Sequence, residues 1–230
     1  MRSAAEYVVQ LREQLGFVRR RLDVFRHREF TQHQIKTLLR FLKRDYEIGL
    51  ASLLVAEARL TTPVFVLTRV LCGDLIRIHW ISLSVANAER YMKRSPGNLA
   101  KLALVNIERG RAKIVKKGTG QSLPTAKLDE VLNALKKHDV RGPTIERMAQ
   151  ESGLGKVYDT AYRIGSLETH ATMPGLPPLF DSDEKAMVRQ LPAVVAILRA
   201  ILLVVENRVR GQGTTPAQIF EILNLHVGGK

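Results

Sequence analysis

An all-α fold is predicted by three features of this chain. Apolar residues recur at threes and fours over long stretches, helix start and stop signals fall at the ends of those stretches, and no segment reads as a strand with a turn partner. The expected architecture is a bundle of long helices within a single domain, residues 1–230. Residues 109–143 form a basic insertion or mobile arm of short helices within it.

Ser3 can cap a first helix running to about Arg28. Tyr7, Val8, Leu11, Leu15, Val18, Leu22 and Phe25 form its apolar stripe. Arg19, Arg20, Arg21, Arg26 and Arg28 gather in its later turns, where the helix dipole favours cations. Thr31 and Gln34 form a capping-box pattern for a second helix, expected to about Leu60. Its first half is basic and its second half, IGLASLLVAEARL, is small and apolar. Thr62-Pro63 opens a third helix, expected to about Lys93.

This third helix carries Arg69, Asp74, Arg77, His79 and Trp80 among apolar neighbours, with Arg69, Gly73, Arg77 and Trp80 on one face. Charges in such surroundings are costly unless paired. Arg69 and Asp74, or either with a group from another helix, are the expected partners, with His79 at a helix edge.

Ser95-Pro96 starts a fourth helix, stopped by Gly118. Short helices follow at about Pro124–His138 and Pro143–Ser152, the second ended by Gly153. A helix from about Lys156 to Ala171 leads into a loop enforced by Pro174, Pro177 and Pro178. Asp181-Ser182 caps the last long helix, which reaches about Arg210 with Pro192 as a point of bending. Thr215-Pro216 opens a short terminal helix.

The net charge is +14 and is concentrated. From Arg19 to Arg44 nine Lys/Arg face only Asp23 and Glu29, and from Ala86 to Gly120 nine face only Glu89 and Glu108. These two blocks account for the excess and would attract RNA or another polyanion. The single cysteine, Cys72, excludes an internal disulfide and fits a reducing compartment. Leu191–Val205, the most apolar run, is interrupted by Pro192 and Arg199 and is too short for a span of ~20 residues. A cytoplasmic protein with no membrane partner is expected. The histidines and carboxylates show no metal-ligand spacing, so no metal and no cofactor are expected.

Chemistry concentrates in VYDTAYRIGSLETHA, residues 157–171. Arg163 and His170 lie seven residues apart, about two helical turns, and so share a helix face. Ser166 lies between them and Asp159 one turn upstream. A guanidinium can hold a phosphate through paired hydrogen bonds, and an imidazole can move a proton near neutral pH. The same residues also suit a satisfied polar knot inside a bundle.

Two stretches, TPVFVLTRVLCGDLIRIHWI and PTIERMAQESGLGKVYDTAYRIGSLETHA, together resemble a bacterial family of all-helical proteins related to the HEPN superfamily. That superfamily includes ribonuclease toxins and phage-defence effectors. The resemblance covers about Thr62–Ala171 and implies that Arg163 and His170 are an Arg-x6-His signature, with Ser166 and Tyr162 as its neighbours. It implies a homodimer in which two motifs meet. From the residues themselves, Asp159, Arg69 and Asp74 are expected to support the same cleft. Ile164 stands where active members carry a polar residue. Arg19, Arg20, Arg26, Arg28, Arg109, Arg111, Lys113, Lys116 and Lys117 are the expected RNA-binding residues. The expectation is a HEPN-like RNA-binding protein with metal-independent ribonuclease activity. The alternative is a non-catalytic helical interaction module that joins a partner protein in a nucleic-acid-associated assembly.

Overall fold

The computed structural model describes residues 3–92, 143–162 and 183–224, with scattered positions between 107 and 133. The chain divides into two compact units, Met1–Val85 with Thr144–Lys230, and Ala86–Pro143. The second unit contains the basic segment 109–143 and begins further upstream. Everything below concerns the first unit.

Its helices are α1 (Ala4–Arg26), α2 (His33–Glu57), α3 (Thr61–Leu83), α4 (Ile145–Glu151), the single turn α5 (Gly155–Val157), a π-helical turn (Tyr158–Tyr162), α6 (Asp183–Val209) and α7 (Pro216–Ile222). No strand is present among the residues described here in this unit. The fold is all-α, as the periodicity predicts.

The ends of these helices follow from local chemistry. Ser3 caps α1 in a reciprocal capping box with Glu6, and Thr215 does the same for α7 with Gln218. The expected box at Thr31 and Gln34 does not form. Gln32 is the N-cap of α2, without a side-chain bond. Gln34 is instead buried: its Nε2 donates to the Ile81 carbonyl at 2.6 Å and its Oε1 accepts from Arg208. A buried amide with two interhelical partners outweighs a cap that water could supply.

Three helix ends share one device. At Arg59, Gly153 and Gly211 the chain turns into the left-handed region, with φ of 56°, 73° and 76°. In each, the next residue's N–H bonds back across the last turn: Leu60 to Val55, Leu154 to Ala149, Gln212 to Asn207. Two of these stops carry the glycine that makes them visible in the sequence; the first carries an arginine. Arg59→Gly is therefore expected to stabilise the protein by about 1 kcal/mol, since the side chain is disfavoured in this conformation. Thermal unfolding should show a rise of about 2–4 °C.

α3 begins at Thr61, two residues earlier than an N-cap at Thr62 with Pro63 in the first helical position suggests, and ends at Leu83 rather than near Lys93. Ser84 adopts an extended conformation there, and helix resumes beyond it.

The core lies where α6 meets α1, α2 and α3. Leu191, Val194, Leu198, Ile201 and Val205 of α6 are buried, as are Leu11, Leu15 and Val18 of α1, Leu38 and Leu42 of α2, and Leu71, Leu75 and Ile78 of α3. Gly49 permits the close approach of α2: a Cβ there would lie 2.7 Å from a Leu15 methyl and 3.0 Å from Leu198.

By length and composition, Met187–Val209 is long and apolar enough to cross a membrane, which corrects the estimate made from Leu191–Val205 alone. Its buried face is covered by the neighbouring helices, as in a core helix. The helix runs through Pro192, which leaves the Val188 carbonyl without its usual N–H partner.

Candidate functional site

A polar cluster interrupts the apolar packing of α2 and α3. Asp74 is fully buried. One of its oxygens accepts from Arg44 of α2, and the other accepts from Arg77 Nη1 at 2.6 Å. Arg77 sits one turn on, so the pair is an i,i+3 contact on a helix surface.

Arg69 is not the partner of Asp74, contrary to one of the expected pairings. Five residues apart on a helix, the two point to different sides. Arg69 places its guanidinium 5.1 Å from the centre of the Tyr162 ring, a cation–π contact. Its Nε is buried and meets no hydrogen-bond acceptor among the described residues.

Gly73 seats this arrangement. A Cβ at that position would come within 3.1 Å of both Tyr162 Cε2 and Arg77 Nη1. Tyr158 stacks on Tyr162 with ring centroids 5.4 Å apart. Both tyrosines belong to the π turn, in which the extra residue per turn breaks the 3.6 spacing. The expected uninterrupted helix from Lys156 is thus corrected at its start. Asp159 is exposed. Arg163, Ser166 and His170 lie outside the described residues.

Asp45 is a member of the cluster that the sequence reading missed. It is fully buried, and among the described residues neither carboxyl oxygen meets an N–H donor. Burial first, then the Asp74 charge, push its pKa up to about 9, against weaker opposing pulls from Arg44 and Arg77. At neutral pH Asp45 therefore carries a proton and adds no second negative charge beside Asp74. A signal for it exists in the sequence. Leu38, Leu42, Asp45, Gly49 and Ser52 fall on one stripe of α2, and an acid inside an apolar stripe is buried.

His79 is also fully buried, not at a helix edge. Neither ring nitrogen makes a hydrogen bond of ordinary geometry. Burial lowers its pKa to about 4, partly opposed by the nearby Ser152 backbone, so the imidazole is neutral. Next to it, Trp80 donates from its indole nitrogen to Glu151 at 2.8 Å, and Arg147 holds the other Glu151 oxygen at 2.7 Å. These bonds tie α4 to α3. Among the described residues no His, Cys, Asp and Glu group is arranged to hold a metal ion.

All of these cluster residues fall within residues 36–187, which match the model of a family of unknown function, DUF5677. The chain belongs to this family. No curated protein and no solved structure matches it. The DUF5677 match takes in most of α2 with α3, α4 and the π turn, and leaves α1 outside.

The basic residues expected to bind RNA divide in the same way. Arg19, Arg20, Arg26 and Arg28 are described and exposed, with Arg20 lying over the Phe17 ring at 5.9 Å. Arg109, Arg111, Lys113, Lys116 and Lys117 lie outside the described residues.

Proposed function

We propose that this DUF5677 protein is a HEPN-like RNA-binding protein whose Arg163 and His170 form a metal-independent ribonuclease site. The reading extends to the toxin or phage-defence type, acting on cytoplasmic RNA as a homodimer. The observation that carries it is the anchoring of Tyr162. The residue directly before Arg163 is held on the Arg69 side of α3, above Gly73. The chain therefore enters the Arg-x6-His segment from an arginine-bearing face, and Arg69 Nε on that face still lacks an acceptor among the described residues.

In the proposed reaction the ribose 2′-oxygen attacks the adjacent phosphorus and the 5′-oxygen departs. A base takes the 2′-hydroxyl proton and an acid gives one to the leaving oxygen; His170 serves one of these steps. Arg163 binds the phosphate and offsets its developing charge. One motif supplies too few groups for both proton transfers, which is the reason for proposing a dimer.

A second reading is favoured by Asp74, both of whose oxygens are taken by arginines. In it, the polar cluster is structural and the chain is a non-catalytic module that docks a partner protein. Incubation of labelled RNA with the protein in EDTA, beside His170→Ala, separates the two. Cleavage by the parent, slowed by about 10²–10⁴-fold in the variant, supports the ribonuclease. Absence of cleavage by both supports the module.

A further inference from the structure

The hairpin of α1 and α2 carries an open groove of about 790 Å³ with an unusual lining. Arg19, Arg26 and Arg28 stand on one side; Lys36, Arg40 and Lys43 stand on the other. All six are exposed, and among the described residues only Lys43 meets an acid, Glu47 at 3.9 Å. Lys36, Arg40 and Lys43 are spaced by four and three, so they form one edge of α2. From Lys36 to Tyr46 that edge runs about 15 Å, long enough to follow a few consecutive phosphates.

Two half-buried aromatic rings are set among the cations. Phe30, in the loop joining α1 to α2, packs edge-on against Phe25 with ring centroids 6.5 Å apart. Phe25 is buried, which fixes Phe30 in place. Tyr46 lines the groove from α2. Cations alone would suit any polyanion. Ordered rings recessed between two cationic edges suit one whose flat bases can leave the stack and reach them, which a duplex does not offer without unpairing.

We infer that the α1–α2 groove binds single-stranded RNA, its phosphates along the two cationic edges and its bases stacked on Phe30 and Tyr46. The inference rests on the RNA-binding reading above and assigns binding to residues other than Arg163 and His170. α1 lies outside the family match, so this surface is completed by a part of the chain beyond the family's matched segment.

The test uses the full chain carrying His170→Ala, with a fluorescein-labelled unstructured 12-nucleotide RNA in EDTA, read by fluorescence anisotropy. Phe30→Leu and Tyr46→Leu are each expected to weaken binding about tenfold without altering its salt dependence. Tyr46→Phe keeps the ring and should bind as the parent does. Lys36→Gln with Arg40→Gln, at exposed positions that leave folding intact, should flatten the salt slope by about 1.4. A duplex of equal length should bind more weakly than the single strand. If RNA binds and none of these variants changes affinity or slope, the groove is not the site, while the RNA-binding reading stands. A duplex bound as tightly as the single strand, with the leucine variants unaffected, also overturns the inference. If the parent binds no RNA, both the inference and the reading beneath it fail.

Discussion

Arg163→Lys is expected to slow RNA cleavage by about 10²–10³-fold while weakening RNA binding only a few-fold. Lysine keeps the positive charge but not the planar fork that grips two phosphate oxygens at once. An interaction that strengthens as charge develops lowers the rate of the chemical step when removed, and leaves ground-state binding nearly intact. Single-turnover cleavage under saturating protein measures the first quantity, and anisotropy in the His170→Ala background measures the second. Equal single-turnover rates for Arg163→Lys and the parent would remove Arg163 from the scissile phosphate.

The largest expected effect on stability belongs to Asp45. Its folded pKa, about 9, stands far above the ordinary 3.8. Between those values the folded protein holds a proton that the unfolded chain has released, so stability falls as pH rises. His79 acts in the opposite sense over a narrower range. Its folded pKa is about 4 against an ordinary 6.5. Between those two values the unfolded chain holds the extra proton, so stability falls as pH falls.

From pH 4 to 6.5 the two contributions oppose each other and nearly cancel. Above 6.5 Asp45 dominates, and the protein is expected to lose roughly 2–3 kcal/mol by pH 8.5, from a slope of about 1.4 kcal/mol per pH unit. Asp45→Asn removes that loss. The gap between its melting temperature and the parent's should widen by about 5–10 °C from pH 6.5 to pH 8.5. The variant also uncovers the His79 contribution, so its stability should fall from pH 6.5 towards pH 4. A variant that loses as much stability as the parent between pH 6.5 and 8.5 would show that Asp45 is ionised in the fold.

Much of the helical frame was legible because the signals are local. Ser3 with Glu6, Thr215 with Pro216 and Gln218, and the glycine at 153 each specify a boundary from a few neighbouring residues. The departures have non-local or atypical causes. Gln34 is drawn away from a cap by Ile81 and Arg208, far off in the chain. Arg59 performs a glycine's task without being one. The π turn at Tyr158–Tyr162 follows no short motif, and it alters which residues share a face just before Arg163.

The cluster was half legible. Asp74 and Arg69 stand out as charges on an apolar helix, and Arg77 follows Asp74 at a helical spacing, but Arg44 and Tyr162 come from other elements, and no spacing rule reaches them. The first basic block was visible as charge. Its organisation around Phe30 and Tyr46 depends on how α1 and α2 pack, which charge counting does not reveal.

The account turns on RNA meeting this chain at two sets of residues, the α1–α2 groove and the segment 163–170. Photocrosslinking of a 4-thiouridine-containing single strand to the full chain, followed by mass spectrometry of the crosslinked peptides, tests it most directly. Crosslinks are expected in peptides containing Phe30 or Tyr46 and in the peptide spanning residues 163–170. Crosslinks confined to other surfaces, or none at all, would contradict it.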